Sequence, residues 1–232
     1  MLPDFYKNVD RSFWPFSGIF GDFVAKSIKT FISTTPMVAK GERISVFLWS
    51  DSHGAVHHHL PQFFDEKLRR SKYYSLPQIN AFSGKELTAQ IKERIVRNMD
   101  SFQVHILLIG SNNIRRKGDN QLLPRFQSIV QHASTLEKCH VVLCGFFPSP
   151  RTDKYSRDRF FEASNQLKTL SRAFPHHTSF LGLQKGFTFN GEIRNELFHG
   201  DGIHLNEEGA ERLAELLTNC LGSFGKTFFQ NS

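Results

Sequence analysis

Ile44-Ser45-Val46-Phe47-Leu48-Trp49-Ser50-Asp51-Ser52-His53-Gly54 decides how this chain is read. The stretch begins as an apolar run and ends as a small, polar turn. A buried strand that breaks in this way delivers its last residues to the carboxyl edge of a sheet, where α/β proteins collect reactive groups. The turn lifts the Ser52 hydroxyl clear of the sheet, and a following helix can aim N–H groups at a reacting oxygen. Asp-Ser pairs are also ordinary turn and capping residues. The meaning of Ser52 therefore rests on what the rest of the chain supplies.

Working outward, strand and helix patterns alternate. Strands are predicted at 44–49, 74–82, 104–109, 140–146 and 178–181. Amphipathic helices are predicted near 60–71, 85–99, 121–135, 157–174 and 207–221. Near-continuous apolar strands separated by such helices specify an α/β fold with a parallel sheet covered on both faces. No internal repeat or low-complexity segment interrupts the alternation.

The chain has 232 residues, enough for one α/β domain with a modest extension and for a core that needs neither disulfide nor metal. Residues 43–232 are assigned to the domain. Residues 1–42 form an N-terminal extension, in which Phe16, Phe20, Phe23, Val24, Ile28, Phe31 and Ile32 recur at helical spacing beside Lys26 and Lys29. Such an amphipathic aromatic helix either packs on the domain or meets a membrane or partner. No apolar run approaches the roughly 20 residues of a membrane span. Asp4 and Asp10 break a secretory-signal pattern. Cys139, Cys144 and Cys220 are odd in number and form no CxxC pair, so they read as buried free thiols. These features predict a cytoplasmic protein. The net charge of +7 favours anionic partners such as RNA or an anionic membrane surface, although the basic residues are dispersed.

Three more loops carry chemistry at strand ends. Ser83-Gly84 follows the second predicted strand, where a glycine lets backbone approach a ligand. Gly110-Ser111-Asn112-Asn113 follows the third, and an asparagine there can donate its amide N–H to an oxyanion. Asp201-Gly202-Ile203-His204 precedes the last helix. Its carboxylate can reach the ring Nδ1 three residues on, fixing the tautomer and leaving Nε2 to accept a proton. Each loop alone has a structural explanation, as a turn or a cap; the order of the set is far more specific.

In that order the motifs resemble those of the SGNH (GDSL-type) hydrolases, named for their Ser, Gly, Asn and His. The resemblance spans roughly residues 44–222. It implies a flavodoxin-like three-layer α/β/α sandwich with a five-stranded parallel sheet, and ester hydrolysis without a metal or organic cofactor. Carried over by position, it implies Ser52 as nucleophile, His204 as general base and Asp201 as its orienting carboxylate. It also implies an oxyanion hole made by the N–H groups of Ser52 and Gly84 with the Asn112 side chain. Two positions depart from the family's usual pattern: Ser50 stands for the glycine of Gly-Asp-Ser, and Asn113 for the acid of Gly-x-Asn-Asp. Asp51-Ser52-His53, Gly110-Ser111-Asn112-Asn113 and the run from Asp201 to Gly209 are also similar to the esterase domains of first-open-reading-frame proteins in some LINE retrotransposons. Those proteins associate with RNA and can contact membranes.

The predicted reaction is hydrolysis of a carboxylic ester with a short acyl group such as acetyl, or of a lipid ester, through an acyl-enzyme. The alternative is a weakly active or inactive module of the same fold that binds RNA or membrane, a reading that rests on Ser50 and Asn113. A carbohydrate deacetylase on this scaffold is a third reading. His53, next to Ser52, and Arg115, just beyond Asn112, are candidate substrate contacts. His57-His58-His59 has no Cys or acidic partner at metal-ligand spacing, so no metal site is predicted.

Overall fold

Val46–Ser50, which we call β1, is buried along its whole length. In the computed structural model, which describes residues 43–55, 59–81, 87–116 and 120–230 with side chains as far as 222, β1 lies inside a five-stranded sheet. The other strands are β2 (Gln78–Ala81), β3 (Val104–Leu108), β4 (His140–Cys144) and β5 (Thr178–Leu181). Their spatial order is β2-β1-β3-β4-β5 and every pairing is parallel. This is the flavodoxin-like order, whose switch point lies between β1 and β3, where sites form beyond the carboxyl ends. The extension 1–42 and residues His57, His58, Phe82, Ser83, Gly84 and Lys117 lie outside the described residues.

The helices are α1 (Leu60–Arg69), α2 (Ala89–Arg97), α3 (Ser111–Arg115), α4 (Leu122–Ala133), α5 (Lys154–Ala173), α6 (Gln184–Phe187) and α7 (Glu207–Gln230). Side chains alternate across a strand, and this period divides the core. Val46 and Leu48 join the layer of α1 and α7, with Phe64, Leu68, Leu213 and Leu217. Phe47 and Trp49 join the layer of α2, α4 and α5, with Ile95, Phe126 and Leu167. Each such fully buried Leu or Phe contributes roughly 1.5–3 kcal/mol. Phe64→Ala would therefore unseat α1 more than any exposed change on that helix.

One polar tie crosses the second layer. Trp49 Nε1 donates to His105 Nδ1 at 3.1 Å, and His105 Nε2 meets the carbonyls of Met99 and Phe102 at 3.2 and 3.1 Å. Nδ1 accepts, so Nε2 carries the proton and the ring is neutral. Burial pushes its pKa down to about 4.

Several boundaries differ from the predictions, each for a local reason. The 74–82 strand shortens to β2 because Pro77 cannot donate to a ladder. Tyr74 instead makes an isolated bridge to Ile44 and donates its hydroxyl to Leu221 O at 2.5 Å. Helix α5 starts three residues early because Asp153 caps it, accepting from Ser156 N at 2.7 Å. Helix α7 continues to Gln230 rather than ending at 221. The short helix α3 was not predicted. Neither was the hairpin Thr188–Phe189 with Glu192–Ile193, turned by Asn190-Gly191, both at positive φ.

Candidate active site

The site begins where β1 ends. Asp51 is 4% exposed, and its carboxylate uses both oxygens within the turn. Oδ1 accepts from His53 N at 3.2 Å, and Oδ2 accepts from the Ser111 hydroxyl at 2.6 Å. Asp51 N donates to Leu108 O at 3.0 Å. The carboxylate thus fastens the turn after β1 to the turn after β3. Ser52–Gly54 form one 3₁₀ turn, in which Ser52 is half-buried and its neighbours are buried. Gly54 is required there by close approach: a Cβ on it would stand 2.5 Å from Ser50 Cβ and 2.7 Å from Ser50 Oγ.

The second half precedes α7. Asp201 Oδ2 meets His204 Nδ1 at 2.6 Å, while Oδ1 accepts from the N–H groups of Ile203 and His204 at 2.8 and 3.0 Å. The bond to His204 and those two N–H groups hold the Asp201 carboxyl well below the usual carboxylate range. Nδ1 therefore carries the proton towards Asp201, and Nε2 is left as the basic nitrogen. The segment closes on itself. His199 N donates to His204 O at 2.8 Å, Gly202 N donates to His199 O at 2.8 Å, and Phe198 bridges Leu205. Gly202 takes φ 63°, which suits glycine. Asn206 then caps α7, accepting from Gly209 N at 3.0 Å.

The two halves meet through His53. Its ring lies edge-on to His204 with centroids 6.0 Å apart, and 5.4 Å from Phe147. His204 is thus brought against the residue next to Ser52. The structure gives no hydrogen bond between Ser52 Oγ and His204. His53 is 8% exposed, and its Nδ1 is buried without a hydrogen-bond partner among the described residues. Burial holds its pKa below the ordinary value; Asp51 opposes this, while His204 and Arg115 add to it.

Asn112 sits half-buried in the first turn of α3, beside the Asp51–Ser111 bond. Asn113 turns the other way and is fully buried. Its Oδ1 accepts from Leu87 N at 2.7 Å and its Nδ2 donates to Leu87 O at 3.5 Å. An amide can hold both sides of a backbone residue, whereas a carboxylate can only accept. Asn113 thereby anchors the residue that follows segment 82–86, which contains Gly84. Arg115 is half-buried, with its guanidinium 5.8 Å from the Phe160 ring. A void of about 20 Å³, room for about one water-sized group, is lined by Asp51, His53, Ser111, Arg115, Phe147 and Ile203, among others.

Sequence reasoning missed Ser111 and Phe147. The position of Ser111 directly after Gly110 at a strand end was the available signal for the first; nothing in the sequence marked the second. Cys139 and Cys144 are buried, and burial pushes the Cys139 thiol up to about 12 and raises Cys144 as well. Such thiols are unreactive. No three His, Cys, Asp or Glu side chains converge as a metal site among the described residues. No helix among them is long and apolar enough to cross a membrane.

No family model matches the sequence, and no curated protein matches it significantly. Solved structures do match. A family 3 carbohydrate esterase from Clostridium thermocellum is 15% identical, with 80% of this chain and 98% of that one covered, at a TM-score of 0.63. A catalytic mutant of Axe2, an acetylxylan esterase from Geobacillus stearothermophilus, is 15% identical over 77% of this chain and 94% of that one, at 0.61. A lipase/acylhydrolase from Enterococcus faecalis is 17% identical over 77% and 94%, at 0.58. At these identities the likeness establishes a shared fold.

Proposed function

We propose that the protein is a serine esterase of the SGNH type. Ser52 Oγ attacks the ester carbonyl while His204 Nε2 takes its proton, and Asp201 steadies the imidazolium through Nδ1. The N–H groups of Ser52 and Gly84 and the Asn112 amide receive the oxyanion, where losing one donor costs about 3 kcal/mol. The tetrahedral adduct expels the alcohol, which His204 protonates. Water deprotonated by His204 then cleaves the acyl-enzyme and frees Ser52. The acyl group is short, such as acetyl, or belongs to a lipid ester; an acetylxylan esterase and a lipase/acylhydrolase share the fold.

The observation that carries this reading is the Asp201–His204 pair at 2.6 Å, set edge-on against the residue following Ser52. The Ser52–His204 bond forms when substrate arrives, as catalytic hydrogen bonds commonly tighten only in the complex. The competing reading, a binding module of the same fold, is favoured by the altered turn at Ser50.

Fluorophosphonate labelling and p-nitrophenyl acetate hydrolysis decide between them. Native protein should label and turn over, and Ser52→Ala should lose at least about a thousandfold of the turnover. Activity that survives Ser52→Ala, or its absence from native protein, rejects the esterase. In the second case, salt-sensitive retention on RNA or on anionic vesicles would favour the module.

A further inference from the structure

Arg115 stands beside the nucleophile turn and makes no ion pair among the described residues, with Asp51 as its nearby countercharge. Exposed Arg69, Arg70 and Arg97 each sit on an Asp or Glu four residues earlier. Among the described residues no carboxylate lies within ion-pair distance of Arg115, although it is half-buried. Asp51 is near enough to act on it electrostatically, yet both oxygens of Asp51 are engaged by His53 N and Ser111 Oγ. The guanidinium packs over Phe160, which holds its plane and leaves N–H groups for another acceptor.

A second residue lining the same void carries an unsatisfied atom. His53 is more than nine-tenths buried, and its Nδ1 has no hydrogen-bond partner among the described residues. Such an atom costs free energy until something bonds to it. The remaining walls include Phe146, Phe147 and Ile203, so an ion pair formed here is weakly screened. The void of about 20 Å³ has room for about one water-sized group, such as one oxygen of an anion.

We propose that Arg115 and His53 form a subsite for an anionic group, a carboxylate or a phosphate, carried by the ester itself. The inference rests on the esterase reading and names its substrate class: an acetyl-type ester with a negative charge close to the scissile bond. Arg115 supplies the charge, and the His53 ring supplies a donor in its Nδ1–H tautomer. Neutral esters would still reach Ser52 but would leave the guanidinium unmatched.

The test compares kcat/KM for 4-acetoxybenzoate, 4-acetoxyphenyl phosphate and neutral methyl 4-acetoxybenzoate in native protein, Arg115→Gln and Arg115→Lys. Intrinsic ester reactivity cancels when the anionic-to-neutral ratio is compared between variants. Arg115→Gln should lower that ratio by about tenfold or more, mainly through KM, as a charge-assisted bond of this kind implies. Arg115→Lys should keep part of it, and the preferred anion identifies the group. A ratio unchanged by Arg115→Gln overturns the proposal. If native protein hydrolyses none of the three, the esterase reading fails. Calorimetry with 4-acetamidobenzoate and 4-acetamidobenzamide then tests the subsite alone: tighter, Arg115-dependent binding of the acid supports it, and equal binding overturns it.

Discussion

Gly54→Ala tests whether the Ser52 turn is clamped against β1. The added Cβ would stand 2.5 Å from Ser50 Cβ, whereas carbons rest about 3.5–4.0 Å apart. Ser50 is fully buried on an interior strand and cannot retreat, so the turn must move by roughly 1 Å. Overpacking of this size costs about 1–3 kcal/mol and displaces Ser52. Ser50→Gly removes both obstructing atoms, and Gly54→Ala should then cost little. Ser50→Gly by itself also deletes a buried hydroxyl that has no hydrogen-bond partner among the described residues. That gain offsets the roughly 0.5–1 kcal/mol that glycine costs inside a strand. The two changes should couple by about 1–2 kcal/mol. Urea unfolding of the four proteins measures this, and fluorophosphonate labelling rates report Ser52. Equal losses from Gly54→Ala in both backgrounds would refute the clamp.

Two further outcomes follow from buried polar groups. His105 and His140 are each pushed down to about 4 by burial, from an ordinary 6.5. The unfolded chain therefore takes up their protons first as pH falls. Stability should be full above about 6.5, decline between there and about 4, and fall by about 2 kcal/mol per histidine between pH 7 and 5. A urea midpoint constant across that window contradicts the assignment. Asn113→Asp removes the donor to Leu87 O and buries a carboxylate. It should cost about 1–3 kcal/mol and slow Ser52 labelling, seen by thermal unfolding and label kinetics; an unaffected variant would sink this account of Asn113.

What the sequence makes legible here is periodic or local. Apolar runs between amphipathic helices specify the parallel sheet, and the spacing of Asp201 and His204 places them within reach on one turn. Pro77 already carried the truncation of β2, and Asn190-Gly191 the hairpin. The rest depends on contacts between distant segments. Nothing in the sequence says that Asp51 will take the Ser111 hydroxyl, that His53 will be buried between Phe147 and His204, or that Gly54 answers Ser50. Those relations appear only once the turns after β1, β3 and β4 share one end of the sheet.

The self-closed segment from Phe198 to Leu205 bears on how such sites diverge. Asp201 and His204 take most of their hydrogen bonds from a few consecutive residues, with Arg151 N donating to Gly202 O from farther along the chain, so fewer substitutions elsewhere reach them. Ser52 relies on positions 50, 54, 108 and 111, spread along the chain, and drift at any of them reaches it. Divergence should erode the Ser52 end first. Distant kin of this chain are better sought by the pattern at 201–209 than by the one at 50–54.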